Sequence, residues 1–368
     1  GFCIKNEHLV KEDRRIYTII ETFYDGRVYN YSEIDLFFSN AIKVLLPLLI
    51  SAVVLAYTYR DYDFSKLWTD VARLDLWWIF FAVVFSWLSP LFRGLRWNLI
   101  LSPLGYNVPQ RDTTLTVFTG YAANIIIPRF GEISRCAILD RYNSVPFSKG
   151  LGTLLAERFV DMILLLLIAT ITVLWQMPRF IDLFSGEYKL PDTAAEGSSS
   201  PTFVIPEFCY WILGAIALVA IIWWIIKCKP IQMLKNFVSG LWTGFMSLKQ
   251  VKNLPLFLAY SLGIWVCYYL EMYMAFFSLE STAAVGAIAG LVCFVASSFA
   301  VLVPTPNGAG PWHWVVITML FIYGVPIDDA RPLALVLHTA QTAAYLLGGF
   351  VAWIVLHVVH REKTVKKL

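Results

Sequence analysis

The stretch NIIIPRFGEISRCAIL, residues 124–139, decides the fold, because it places a proline, a glycine and three charged residues directly after an apolar run. Backbone that lacks its helical hydrogen bonds is tolerated at membrane depth only where it is buried in protein or lines a cavity. A second break of this kind, VPTPNGAGPW, occupies residues 303–312. The two breaks predict helical hairpins in place of simple membrane spans.

The composition indicates a membrane protein. Of the 368 residues, 58% are hydrophobic and 15% are charged, and the mean hydropathy is +0.64. A soluble domain carries roughly 25% charged residues, and the 14 Trp and 18 Tyr suit anchors at membrane interfaces. We therefore predict an all-α polytopic membrane protein. The net charge of +3 indicates no nucleic-acid partner, and the six cysteines show neither CxxC spacing nor a His cluster, so neither a metal nor a cofactor is predicted.

Six segments are long and apolar enough to span about 30 Å of hydrocarbon as helices. They are residues 41–59, 76–92, 152–175, 208–226, 254–279 and 333–357. Two further apolar regions, residues 113–128 and 283–323, are interrupted by the breaks. The prediction is thus about six full spans plus two broken regions.

Charge in the connecting segments predicts the topology. Residues 227–253 carry five Lys and no acid, and the tail 358–368 is basic, so both are predicted cytoplasmic. The loop 176–207 carries five acidic and two basic residues and is predicted external. The chain is therefore expected to have both ends inside.

The same rule predicts that 113–128 enters the membrane and returns, because the arginines on both of its sides are expected in the cytoplasm. These arginines are Arg93, Arg96, Arg111, Arg129, Arg135 and Arg141. The span 254–279 is predicted to leave the cytoplasm and the span 333–357 to return to it. The region 283–323 between them is therefore either a second re-entrant hairpin, entering from outside, or two short crossings. Two hairpins entering from opposite faces would form an inverted repeat, in which broken helices mark the transport site.

The remaining segments have simpler interpretations. Residues 1–40 are polar and receive no function, and Ser39-Asn40-Ala41 resembles a cloning remnant. Residues 41–357 form the transmembrane domain. Residues 230–249 carry an apolar stripe with lysines opposite, which predicts an amphipathic helix on the inner leaflet. Residues 358–368 are the basic cytoplasmic tail.

Six charged side chains cluster at the first break and at the start of the next span: Arg129, Glu132, Arg135, Glu157, Arg158 and Asp161. Ionisable groups at membrane depth must be paired or face water, which predicts a network of the three carboxylates with the three arginines. This network either only fixes the hairpin, or it leaves Arg129 or Arg135 to bind a lipid phosphate. In the second case the helix restarting after Gly131 would add its positive end.

Glu271, in CYYLEMYMAF, is the most isolated carboxylate of the predicted spans. It is either a proton-coupling site, a counter-charge for a cationic headgroup, or a partner of a nearby Tyr or of His313 or His338. The spacing of these histidines does not suit a metal site.

Four stretches in this order resemble the lysylphosphatidylglycerol synthase transmembrane-region family: RGLRWNLILSPLG (93–105), NIIIPRFGEISRCAIL, LLAERFVDMILLLL (154–167) and VLVPTPNGAG (301–310). That family includes the flippase domain of the multiple peptide resistance factor. The resemblance implies a multi-pass protein of the bacterial cytoplasmic membrane that handles lipid, without the soluble synthase domain of some members. Where members often read PGGLGxxE, this chain carries Asn307 in the glycine-rich turn and His313 in place of the acid.

The resemblance favours a flippase-like lipid translocator whose partner is a membrane phospholipid or another polar lipid. The nine residues expected to bind it are Arg129, Glu132, Arg135, Glu157, Arg158, Asp161, Glu271, Asn307 and His313. One alternative is a membrane enzyme or accessory subunit for glycosyl or acyl transfer on a lipid-linked substrate, with Glu132 or Asp161 as base. Another is a small-solute or ion-coupled transporter. No catalytic triad order or nucleotide-binding loop is present in the sequence, so no catalytic residue is predicted.

Overall fold

The fold is that of a computed structural model, which describes residues 33–178, 181, 239–240 and 242–365. Its contacts divide the chain into two units, residues 1–43 with 204–236 and residues 44–203 with 237–368. Of the first unit the structure describes only residues 33–43, which are helical. The second unit contains both predicted hairpins and all the candidate site residues.

Regular structure in the described residues is entirely helical, which confirms the all-α prediction for them. The α-helices are α1 (Glu33–Thr58), α2 (Leu67–Arg73), α3 (Leu76–Leu101), α4 (Gln110–Ile126), α5 (Phe130–Asn143), α6 (Phe147–Trp175), α7 (Leu254–Phe276), α8 (Glu280–Ala283), α9 (Ala287–Ala300), α10 (Pro311–Ile322) and α11 (Ile327–Val365). Short 3₁₀ turns lie between several of them.

Four of these helices, α3, α6, α7 and α11, are long and apolar enough to cross a membrane. They coincide with the predicted spans 76–92, 152–175, 254–279 and 333–357. Helix α1 covers the predicted span 41–59, and its part Leu45–Thr58 is a shorter apolar helix. The predicted span 208–226 lies outside the described residues. The protein is a multi-pass membrane protein.

Local caps set where two of the spans begin. The Asp75 carboxylate accepts a 3.0 Å hydrogen bond from the backbone N–H of Trp77 at the start of α3. The Asn253 side chain accepts one of 3.1 Å from Leu256 at the start of α7. Helix α3 continues past the predicted end at residue 92 to Leu101, because the arginines of its last turns are paired inside the protein.

The first hairpin consists of α4 and α5, joined by the break 127–129. The predicted hairpin 113–128 is therefore only the first leg, and the second leg is α5. The turn occurs at Arg129, whose φ of 64° is left-handed, so the helix stops there and restarts at Phe130. Helices of 17 and 14 residues measure about 25 and 21 Å at 1.5 Å per residue.

The second hairpin consists of α9 and α10, joined by the break 301–310. Three residues of this break, Asn307, Gly308 and Gly310, have positive φ angles, which end one helix and redirect the chain into the next. The two helices have 14 and 12 residues, or about 21 and 18 Å. Each is shorter than a hydrocarbon core of about 30 Å.

The turns of the two hairpins contact each other. Nη2 of Arg129 donates a 2.9 Å hydrogen bond to the carbonyl oxygen of Leu302, and α4 packs against the turn Pro306–Gly308. Helix α1 supports the second turn, since the Ser51 hydroxyl donates a 2.9 Å hydrogen bond to the carbonyl of Ala309. That the hairpins are re-entrant and form an inverted repeat, and how they are oriented in the membrane, stay predictions.

Other predicted segments are described only in part. The predicted external loop 176–207 lies outside the described residues except for 176–178 and 181, and the described residues within 230–249 are helical. The predicted tail 358–368 begins as a continuation of α11, which runs to Val365. It stays helical there because His360 packs on the base of the first hairpin, with Nε2 3.1 Å from Oδ2 of Asp112 and its ring stacked on Tyr142.

Candidate functional site

A pair of arginines on α3 meets a carboxylate on α6 inside the protein. Oδ2 of Asp161 lies 2.7 Å from Nη1 of Arg93, and Oδ1 lies 2.6 Å from Nη1 of Arg96. Arg93 and Arg96 are three residues apart, so both point from one face of α3. The two side chains are 3% and 0% exposed, so these are buried ion pairs.

Glu157, one helical turn before Asp161, joins a third arginine to the same group. Its Oε1 lies 3.3 Å from Nε of Arg96, and its Oε2 lies 3.2 Å from Nη2 of Arg135 on α5. The Arg135 guanidinium also stacks over the Trp97 ring, 4.2 Å from its centre. We call Arg93, Arg96, Arg135, Glu157 and Asp161 the ion cluster; it ties α3, α5 and α6 together.

Three predicted site residues lie outside the ion cluster, nearer the surface. Nη2 of Arg158 lies 3.4 Å from Oε1 of Glu132, with 45% and 32% of the two side chains exposed. Arg129 is exposed at the first turn and donates to the Leu302 carbonyl. Among the described residues no carboxylate lies within 4.0 Å of Arg129. We call Arg129, Glu132 and Arg158 the rim charges.

The depth of the rim charges is informative. Arg158 lies six residues inside the predicted span 152–175, or about 9 Å at 1.5 Å per residue, which is about a third of the hydrocarbon thickness. Its neighbours Phe159, Met162 and Ile163 are exposed apolar side chains, as on a lipid-facing helix. A half-exposed arginine at this depth is expected to face water or a polar headgroup, because hydrocarbon would leave its charge unsolvated.

The sequence predicted a single network, and ion pairs connect five of its six residues, because Nη1 of Arg158 also lies 3.9 Å from Oδ2 of Asp161 in the ion cluster. Arg135 pairs with Glu157, and Arg158 pairs with Glu132, whereas none of the three predicted carboxylates lies within 4.0 Å of Arg129. The predicted helix-end site is also partly occupied, because the Gly131 N–H donates a 2.6 Å hydrogen bond to Oδ1 of Asn124.

Arg93 and Arg96 are the site residues that sequence reasoning missed. The charge rule predicts that both mark the cytoplasmic interface, but both are buried in the ion cluster. The available signal was the apolar run after them: LILSPLG continues the helix pattern, so the arginines lie inside a longer helix and not at its end.

The second break brings Asn307 and His313 together with a histidine of α11. The carbonyl oxygen of Asn307 lies 3.0 Å from Nε2 of His338, and its side-chain amide donates a 2.9 Å hydrogen bond to the Thr342 hydroxyl. The ring centre of His313 lies 4.4 Å from that of His338, and its Nδ1 accepts a hydrogen bond from Gly310. Both rings are buried, and these contacts hold the turn against α11.

Glu271 is buried in α7, where its carboxylate faces the Gln341 side chain of α11. No Lys, Arg or His among the described residues lies within 4.0 Å of it. One turn earlier, the Tyr268 hydroxyl hydrogen-bonds to that of Tyr121, which accepts a 3.2 Å hydrogen bond from Nε of Arg93. Polar contacts therefore run from the ion cluster to the helix that carries Glu271.

Comparison with known proteins shows the family. The sequence profile of the lysylphosphatidylglycerol synthase transmembrane region matches residues 44–349. The chain belongs to this family. The family match includes both hairpins, the ion cluster, the rim charges and Glu271.

Two proteins show distant similarity to this chain. A UPF0104 membrane protein of Methanocaldococcus jannaschii is 21% identical over 364 residues, covering 89% of this chain and 97% of that protein. Glycosyltransferase AglD of Haloferax volcanii is 25% identical over 126 residues, which cover 34% of the present chain but only 20% of the glycosyltransferase. No solved structure matches the chain.

Proposed function

We propose that the protein is a lipid translocator that moves a phospholipid or another polar lipid between the leaflets. The observation that carries the proposal is the position of the rim charges: they are partly exposed charged side chains beside a helix break, and Arg158 lies about 9 Å inside a predicted membrane span. The family name, which refers to a phospholipid synthase, supports a lipid-related role.

The headgroup would first meet Arg129 and Arg158. A guanidinium binds a phosphate through two parallel hydrogen bonds, and Arg129 is held by a backbone carbonyl and not by a carboxylate. Arg158 is half-exposed and could exchange Glu132 for the phosphate at little cost, because exposed ion pairs contribute about 1 kcal/mol or less. Arg135 is buried against Glu157, so the first contact is not assigned to it.

The contact between the hairpin turns supplies the path in this proposal. The rim charges lie beside the first turn, and Leu302 lies in the second. A headgroup that passes between the two turns would therefore contact both breaks. The lipid tails would stay in the bilayer, against the exposed apolar face of α6. The similarity to a glycosyltransferase supports no glycosyl transfer, because the matching segment is 20% of that protein.

The test is transport of a fluorescent phospholipid in liposomes that contain the purified protein. Arg129→Asn and Arg158→Gln should each slow its movement by about tenfold or more, since each removes a charged hydrogen bond worth about 1.5–3 kcal/mol. Asn also tolerates the left-handed backbone of position 129. Both variants should keep the wild-type unfolding temperature in detergent.

The matched control is Arg141→Gln, which removes an exposed arginine at the other end of α5. It should transport lipid at the wild-type rate. Transport at the wild-type rate in both rim variants would exclude this path.

A further inference from the structure

The charges beside the first turn do not cancel. The rim charges are two arginines and one glutamate, which leaves one positive charge in excess. The ion cluster behind them, with three arginines and two carboxylates, also leaves one in excess. Arg158 joins the two groups, because its guanidinium lies 3.4 Å from Glu132 and 3.9 Å from Asp161. Positive charge therefore accumulates from the buried cluster to the partly exposed rim.

The neighbouring elements supply no counter-charge. The first leg of the hairpin lies within residues 110–126 and has no charged residue after Asp112, and residues 281–327, which include the whole second hairpin, contain no Asp, Glu, Lys or Arg. Helix α7 carries one carboxylate, Glu271, and no arginine of the two groups lies within 4.0 Å of it. Among the described residues, the excess positive charge therefore has no anionic partner on the helices packed around it.

The ion cluster also lacks hydrogen-bond acceptors. Nη2 of Arg96 and Nε of Arg135 are buried and have no hydrogen-bond partner in the part of the chain that the structure describes. Buried donors that stay unpaired cost free energy, and more so on a charged group. The charge count and the unpaired donors are separate observations, and both indicate a shortage of negative charge at this place.

Exposure of the carboxylates limits what a cationic group can reach. Glu132 has 32% of its side chain exposed, whereas Asp161 has 8% and Glu157 none. An ammonium group on a headgroup would have to bind Glu132, which Arg158 already holds. A phosphate has a better partner in Arg129, which is exposed and bound only to a backbone carbonyl.

We propose that the rim charges select an anionic phospholipid, whose headgroup carries a phosphate and no balancing ammonium group. The phosphate binds Arg129 and Arg158 and displaces Glu132 from Arg158, and its charge cancels the excess at the rim. Glu132 is thus the internal counter-ion that the lipid must replace. A zwitterionic headgroup would bring its own positive charge to the arginines, which is unfavourable. This inference rests on the proposed function, since it names the charge class of the lipid that the rim charges receive.

Competition for binding in detergent tests the inference without transport. The full chain is mixed with equal amounts of phosphatidylglycerol, phosphatidylethanolamine and phosphatidylcholine that have the same short acyl chains, and native mass spectrometry counts the bound lipids. We expect phosphatidylglycerol to exceed each zwitterionic lipid by about tenfold or more. Glycerol phosphate at equal concentration, which has the phosphate but no acyl chains, should not displace it.

The informative variant is Glu132→Gln, which removes the competing carboxylate. It should raise the affinity for phosphatidylglycerol by about two- to fivefold, the range that loss of an exposed ion pair implies, and leave phosphatidylcholine nearly unchanged. The matched control is Asp140→Asn, which removes an exposed carboxylate eight residues further along α5 and should bind both lipids as the wild type does. Both substitutions add one positive charge to the protein, so a general attraction of anionic lipid would affect them equally.

Four results would overturn the inference. They are equal binding of phosphatidylglycerol and phosphatidylcholine, tighter binding of phosphatidylethanolamine, which would place the ammonium group on Glu132, displacement of the lipid by glycerol phosphate, which would indicate a soluble anion, and an equal gain in Asp140→Asn. If the protein bound phosphatidylglycerol selectively but moved no lipid in liposomes, the proposed function would fail and the charge selection would stand. Equal movement of all three lipids, with equal binding, would leave the translocator and remove the selection.

Discussion

At the scale of the residue, two buried glutamates have opposite environments. Glu157 lies between the guanidinium groups of Arg96 and Arg135, whereas Glu271 has only an amide partner. Loss of one partner from a buried ion pair leaves an uncompensated charge, while a carboxylate without a cation loses little on neutralisation. The same substitution should therefore have different effects at the two positions.

Glu157→Gln is expected to lower the free energy of unfolding by about 3–5 kcal/mol, because two buried arginines lose their counter-charge. Glu271→Gln should change it by less than about 1 kcal/mol, because Gln keeps the shape and can still hydrogen-bond to Gln341. Unfolding in mixed detergent at neutral pH, followed by circular dichroism, measures both. Equal losses in the two variants would show that Glu271 has an unrecognised charged partner.

The sequence could indicate these carboxylates but not their partners. Glu157 and Asp161 stand out because carboxylates are rare in spans, and their burial follows from that pattern. The charge rule predicts an interfacial position for Arg93 and Arg96, because it treats every arginine near a span as a marker of the interface. Their true partners lie on α6, more than sixty positions along the chain, and only helix packing brings them together.

At the scale of the element, the first hairpin depends on the close approach of two glycines. A Cβ on Gly131 would collide with the carbonyl oxygen of Gly120 in the facing leg and approach the Asn124 amide carbon to 2.6 Å. That same amide accepts the Gly131 N–H. The legs can therefore pack this closely only with glycine at position 131.

Gly131→Ala should lower the free energy of unfolding by about 1–3 kcal/mol, as overpacking does, and should reduce lipid movement by separating the legs. The control is Gly150→Ala in α6, where the nearest atom to an added Cβ is Sγ of Cys136 at 3.5 Å. That variant should be neutral or gain up to about 1 kcal/mol, since alanine favours a helix. Comparable destabilisation in both variants would contradict the close-packing argument.

The breaks were easier to predict than the hairpins built around them. Pro128 and Gly131 mark the first break in the sequence, and the structure turns at Arg129 between them. The extent of the hairpin was wrong, because 113–128 was expected to contain both legs. Polar residues made α5 look like a cytoplasmic segment, whereas its buried face carries Arg135 and Cys136.

At the scale of the whole molecule, the two hairpins meet turn to turn. Arg129 of the first reaches Leu302 of the second, and α1 holds the second turn through Ser51. Their helices, of 12 to 17 residues, are shorter than the four candidate spans. The inverted-repeat prediction requires that two short hairpins whose turns meet enter the bilayer from its two faces.

Helix length favours a second re-entrant hairpin over two short crossings, and cysteine labelling can decide between them. With a membrane-impermeant maleimide, Asn107→Cys and Arg141→Cys, at the ends of the first hairpin, should react from the same face. Ala284→Cys and Asp328→Cys, which flank the second hairpin, should both react from the opposite face. All four positions are exposed.

The labelling uses a background in which serine replaces the cysteines outside the described residues, Cys3, Cys209 and Cys228. The other three cysteines are buried and serve as the internal control for unreactive thiols.

Two crossings of about 21 and 18 Å would each have to thin a core of about 30 Å, and they too would leave Ala284 and Asp328 on one face. A third site in the second turn, Val303→Cys, therefore distinguishes a re-entrant hairpin from two crossings. Val303 is exposed, and with two crossings it would lie in a loop and react from the face opposite to Ala284. A re-entrant turn that meets Arg129 inside the bilayer should react slowly, and an anionic lipid bound at the rim charges should protect it further.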